Sequence, residues 1–208
     1  MLTEKEKELA LQDLYKKYNS CENCPLFKNR KSTIKPIINI NAKYVFLVDF
    51  IYDADTNFSN KKEVELEYLY SLLDLFGIKK EEVSILPLVL CPSYRSPKKK
   101  EISACRPRLH AELNILDPRF IISLGADALK GLYSSYPPSY MSSSGRMVNL
   151  DVSGYITSFN LGVFVTQGLN NLIRFNNNLE GSPMWNFYKD MQAVDTLNTI
   201  MDKIDENK

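Results

Sequence analysis

Four cysteines are the residues of this chain best suited to chemistry. They are Cys21 and Cys24 in CENCPLFKNR, Cys91 in LVLCPSYRSPKKK and Cys105 in EISACRPRL, and the chain has no others. A thiolate is a soft ligand, and four of them suit zinc or an iron–sulfur cluster. A zinc site of four cysteines is usually built from two C-x-x-C knuckles. Here one knuckle is followed by a pair spaced C-x13-C. Spacing by itself leaves zinc and iron–sulfur both open. A buried free cysteine can also be a plain core residue, but a C-x-x-C pair in a loop followed by Pro25 points to ligation. The sequence therefore predicts that Cys21, Cys24, Cys91 and Cys105 converge on one metal centre.

Basic residues cluster around the second pair: Arg95, Lys98, Lys99, Lys100, Arg106 and Arg108. A cationic loop of this kind can track a phosphate backbone, and a solvated lysine run is the alternative. The formal net charge of +1 gives no global attraction for nucleic acid, so any such contact must be local. His110 is the only histidine. It lacks a partner motif and is assigned to packing or the surface rather than to catalysis. The Tyr- and Ser-rich stretch SSYPPSYMSSSGR offers adaptable contacts for a protein partner.

These residues need a scaffold. Three apolar runs, Tyr44–Val48, Val83–Val89 and Phe120–Leu124, read as buried parallel strands. Helical periodicity predicts helices over Thr3–Tyr18, with Thr3 and Glu6 as a capping box, and over Glu63–Phe76, stopped by Gly77. A further helix is predicted to begin near Glu101 or to resume after Pro107, ending near Leu116. Shorter helices are expected at Ala126–Tyr133 and Leu169–Arg174. A last helix is expected over Pro183–Ile204, with Trp185, Tyr188, Met191 and Val194 on one side. Weaker strands are expected at Gly154–Phe159 and Val163–Thr166, and Ser134–Gly145 reads as a loop. Strand–helix alternation predicts a parallel α/β sheet, whose sites fall at the C-terminal ends of the strands. Asp49, Cys91 and Gly125 lie there.

The chain has 208 residues, 44% hydrophobic and 25% charged. That composition fits one globular domain over 1–208. No apolar run is long enough for a membrane span, and MLTEKEKELAL does not resemble a signal peptide. The expected compartment is the cytoplasm, or the host cytoplasm for a viral protein. Thiols stay reduced there, which favours metal ligation over disulfides.

Taken together, CENCPL, the strand ending before Cys91-Pro92, ACRPRL and HAELNILDPRFIISLGADALKGL resemble the family 4 uracil-DNA glycosylases over residues of about 20 to 204. The resemblance implies a three-layer α/β/α fold with a central, mainly parallel sheet. It also implies a 4Fe–4S cluster with a structural role, with Cys21, Cys24, Cys91 and Cys105 as its ligands.

The catalytic motifs of that family are altered here. A G-E-x-P-G loop follows the first strand in the family, and here Val48-Asp49-Phe50-Ile51-Tyr52 takes its place. Asp49 is the residual carboxylate candidate. Phe58 is the candidate for the aromatic that stacks on the base. Pro87 stands where an asparagine would read the base, and Gln167 stands where a T-H-P motif would supply histidine. Glutamine can donate a hydrogen bond but carries no positive charge. Arg174 ends the short helix that enters DNA in relatives.

These substitutions predict an iron–sulfur protein without normal uracil excision. It would bind DNA, single- or double-stranded, or dock as an accessory subunit in a nucleic-acid-processing assembly, for example one of viral replication or transcription. An active glycosylase of altered base choice and a structural component of a larger complex are the alternative readings.

Overall fold

A computed structural model describes residues 2–30, 33–49, 59–92, 95–133, 139–148, 162–177 and 179–207. The chain opens with helix α1 (Glu4–Asn19). Thr3 caps it, accepting from Glu6 N while the Glu6 carboxylate accepts from Thr3 N. A 3-10 turn (Pro25–Asn29) follows the first two cysteines. Then come β1 (Tyr44–Val48), α2 (Ser59–Asp74), β2 (Val83–Pro87), α3 (Lys99–Leu116), β3 (Phe120–Leu124) and α4 (Ala126–Leu132). The chain ends with α5 (Tyr140–Ser143), β4 (Arg146–Val148), β5 (Val163–Thr166), α6 (Leu169–Arg174) and α7 (Pro183–Glu206).

The five strands form one sheet in the order β2-β1-β3-β5-β4. All pairings are parallel except β4 with β5. Every residue of β1, β2, β3 and β5 is buried, because helices cover both faces. One core, under α1, α3 and α4, contains Val45, Leu47, Leu86, Leu109 and Leu113. The other, under α2, α6 and α7, contains Phe46, Leu69, Ile122, Leu172 and Phe187. This is the three-layer α/β/α fold expected from the sequence. Pro87 is tolerated in β2 because that strand lies at the edge of the sheet, where a missing N–H costs least.

Several expectations are corrected. Strand β2 stops at Pro87, two residues early. Helix α3 runs unbroken through Pro107. The stretch expected as loop contains the short helix α5 and leads into the edge strand β4. Trp185 is not on the core side of α7. It is 40% exposed, and Met184 and Phe187 are buried instead. The expected strand at 154–159 lies outside the described residues.

Helix α4 packs tightly under the sheet edge. A Cβ added at Gly131 would lie 2.2 Å from Leu88 Cδ2 and 3.0 Å from its Cγ. Gly131→Val is therefore expected to overpack this core and destabilise the protein by about 1–3 kcal/mol. A urea titration would register this as a lower midpoint at an unchanged slope.

Candidate metal centre and sheet-edge cleft

The N-terminal cysteines sit at the end of α1. Cys21 N donates to Tyr18 O, and Cys24 caps the following 3-10 turn. Cys91 lies just past β2, and Cys105 lies on α3. All four are free thiols, Cys91 and Cys105 buried and the first two half-buried. Cys91 and Cys105 belong to the core under α1, α3 and α4, and Cys24 packs against it. The thiols also interact electrostatically. Burial pushes the Cys24 thiol up, with Cys105 and Cys91 adding to the shift. Burial likewise raises Cys91, opposed by Arg30 and reinforced by Cys105 and Cys21. The fold thus puts Cys24 against the core that holds Cys91 and Cys105, and the thiols are near enough to interact electrostatically.

Among the described residues, no group of three or more His, Cys, Asp or Glu side chains is closed tightly enough to hold one metal ion. The donor set, four soft thiols with a guanidinium hydrogen-bonded to one of them, fits an iron–sulfur cluster in its chemistry.

That guanidinium belongs to Arg30. Its Nη1 donates to Cys91 Sγ at 3.2 Å and its Nη2 to Asn19 O at 2.8 Å. Arg30 was not among the candidates expected from the sequence. Its place six residues after Cys24 was the available signal.

The basic candidates separate into three groups. Lys98, Lys99 and Lys100 are exposed at the start of α3, and Arg174 is exposed at the end of α6. Arg95 is already paired, with Nη1 and Nη2 donating to the Glu101 carboxylate at 2.9 and 2.7 Å. Arg106 is half-buried and donates from Nε to Gly131 O. Arg108 must be removed from the nucleic-acid candidates. It is fully buried, with Nη1 donating to Glu112 Oε2 at 2.5 Å and Nη2 to Pro87 O at 2.6 Å. Tyr15 OH donates to the other Glu112 oxygen at 2.7 Å. Burial disfavours the Arg108 charge, but Glu112 and Cys105 outweigh it and hold the pKa above its ordinary value. His110 is half-buried against Leu132 O, and burial keeps its pKa low, as a packing residue requires.

A second feature lies at the C-terminal edge of the sheet, where parallel α/β folds place their sites. A cleft of about 190 Å³ is lined by Asp49, Gly125, Asp127, Gly168, Asn170 and Asn171, among others. Its floor is two glycine turns in contact. Gly125 has φ +93°, and a Cβ on it would meet Gly168 Cα at 3.1 Å. Asp49 thus reaches the cleft as expected. Gln167 does not line it, and its Nε2 points to Ser144 Oγ at 3.4 Å. Phe58 lies outside the described residues.

A family model, the uracil DNA glycosylase superfamily, matches residues 56–192. The chain belongs to that superfamily. Similar proteins include the type-4 uracil-DNA glycosylase of Pyrobaculum aerophilum, 32% identical over 60% of this chain and 65% of that protein. The type-4 enzyme of Thermotoga maritima is 29% identical over 59% of this chain and 66% of its own length. That of Saccharolobus solfataricus is 28% identical over 70% and 69%. The alignments with the first two thus span slightly under two thirds of those relatives. The family match includes Cys91, Cys105 and Gln167, and begins after Cys21 and Cys24.

Behind Gln167 lies a carboxyl the sequence reading missed. Thr166 Oγ1 donates to Asp190 Oδ2 at 2.6 Å. Burial pushes the Asp190 carboxyl from 3.8 up to about 6, opposed by the Thr166 hydroxyl. A carboxyl with a raised folded-state pKa favours folding most when protonated. Its contribution is therefore greatest below 3.8, falls as pH rises to about 6, and is level above that. Asp190→Asn is expected to abolish this fall. Urea titrations across that pH range would show the variant gaining on the wild type as pH rises.

Proposed function

We propose that this chain is an iron–sulfur DNA-binding protein of the uracil-DNA glycosylase superfamily in which uracil excision is strongly weakened. In this reading Cys21, Cys24, Cys91 and Cys105 hold a 4Fe–4S cluster. Bound there, the cluster would supply a rigid cross-link between distant chain segments rather than reaction chemistry. Buried, raised thiols such as Cys24 and Cys91 would lose their protons on binding it. The family match and the names of the relatives support DNA as the partner, and Lys98, Lys99, Lys100 and Arg174 are the exposed cations available for its phosphates.

The observation that carries the weakened excision is the state of the sheet-edge cleft. Asp49 remains in it, so a carboxylate is available beside a sugar that develops positive charge. The departing base needs its negative charge balanced. For that the sequence offers Gln167 where the family has histidine, an uncharged donor that lies outside the cleft lining and is turned to Ser144. Loss of one such stabilising donor typically costs about 10²–10³ in rate.

Single-turnover assays on a uracil-containing single-stranded oligonucleotide test this reading. Release is expected to be about 10²–10³-fold slower than for a type-4 enzyme assayed in parallel, and Gln167→His is expected to raise it. Equal rates for the two proteins would overturn the reading. DNA affinity of the wild type is expected to fall steeply with salt. Replacing Lys98, Lys99 and Lys100 with Ala should weaken binding about equally across sequences, and should reduce the salt slope by up to about 3.

A further inference from the structure

We infer that Arg30 and Arg108 form a cationic hydrogen-bond clamp on the sulfur shell of the cluster, Arg30 acting at Cys91 and Arg108 beside Cys105. The inference rests on the four-cysteine cluster reading and concerns residues that are not ligands.

Two independent observations carry it. The first is the 3.2 Å hydrogen bond from Arg30 Nη1 to Cys91 Sγ, across 61 positions of sequence. The other end of the same guanidinium is fixed on Asn19 O at the end of α1. Arg30 thus ties the N-terminal knuckle to the second cysteine pair. Among the described residues no carboxylate pairs with Arg30, so its charge faces the sulfur without a paired anion. A neutral thiol is a weak acceptor, and an always-charged guanidinium suits an anionic sulfur far better.

The second observation is a buried donor without a partner. Arg108 is fully buried and uses Nη1 and Nη2 on Glu112 and Pro87, but its Nε has no hydrogen-bond partner. Such an orphan is costly and calls for an acceptor. Arg108 lies one helical turn from Cys105 on α3, and the two interact electrostatically. A sulfur of the ligand shell at Cys105 is an acceptor of the required kind.

Hydrogen bonds and positive charge at cluster sulfurs favour the more negative, reduced state and so raise the reduction potential. They also oppose protonation of the thiolates, the step that releases the metal. Arg30 should dominate the potential because its charge is uncompensated. Arg108 should matter more for retention, since Glu112 offsets its charge.

The test uses full-length protein purified anaerobically, as wild type, Arg30→Lys, Arg30→Met and Arg108→Lys. Iron and sulfide per chain, the midpoint potential in a mediated titration and the rate of bleaching by a chelator are measured. Circular dichroism checks the fold. Arg30→Met is expected to keep its fold and iron, to shift the midpoint to lower potential and to bleach about 10-fold faster. Arg30→Lys is expected to fall between it and the wild type, and Arg108→Lys to bleach faster with a smaller shift in potential. An iron-loaded Arg30→Met protein with the wild-type potential and bleaching rate overturns the clamp and leaves the cluster reading intact. An iron-free wild type overturns the cluster reading itself. Arg30 is half-buried near the surface, so its variants decide the matter even if Arg108→Lys does not fold.

Discussion

The buried ion pair between Arg108 and Glu112 is the interaction that ties together the segments carrying the four cysteines. Two charges in a core are costly to desolvate, and removing one partner typically costs about 3–5 kcal/mol. Here the pair is held at both ends. Arg108 reaches the carbonyl of Pro87 at the end of β2, and Glu112 accepts from Tyr15 on α1. One helix, α3, is thereby fixed to the strand that delivers Cys91 and to the helix that delivers Cys21 and Cys24. Cys105 lies on α3 itself, a turn before Arg108. One network thus links the three segments that carry the cysteines.

The metal centre and the sheet-edge cleft rest on different parts of the fold. The cysteines gather around α1, α3 and the edge strand β2. The cleft is built from the ends of β1, β3 and β5 and from the contact between Gly125 and Gly168. Substitutions at the cleft can therefore accumulate without loosening the cysteine network. Under the proposed reading, that separation would let a chain keep the superfamily's fold and the four cysteines while positions such as Gln167 change. Pro87 belongs to the cysteine side, where its carbonyl anchors Arg108.

The strands were legible because each central strand is buried on both faces. Tyr44–Val48 and Phe120–Leu124 are unbroken apolar runs with the observed boundaries. The capping box at Thr3 was equally plain. Strand β4 was not legible, because three residues at an antiparallel edge carry too little pattern to stand out from a loop. Trp185 misled because the first turn of α7 carries apolar residues on two faces, and only packing decides which is buried. Arg108 misled for an electrostatic reason. It was grouped with neighbouring cations, although Glu112 four residues on and the flanking Leu109 and Leu113 already described a buried helical ion pair. Asp190 could not be found from local pattern, since its partner is 24 positions away, and for Arg30, whose sulfur partner is 61 positions away, the one local signal was its place after Cys24.

The metal content of the protein decides the account most directly. Protein purified without oxygen is to be analysed for iron, acid-labile sulfide and zinc, with its visible absorption spectrum. The arrangement of Cys21, Cys24, Cys91 and Cys105 predicts a brown protein with about four iron and about four sulfide per chain, and no stoichiometric zinc. A colourless protein carrying one zinc, or no metal, would contradict it.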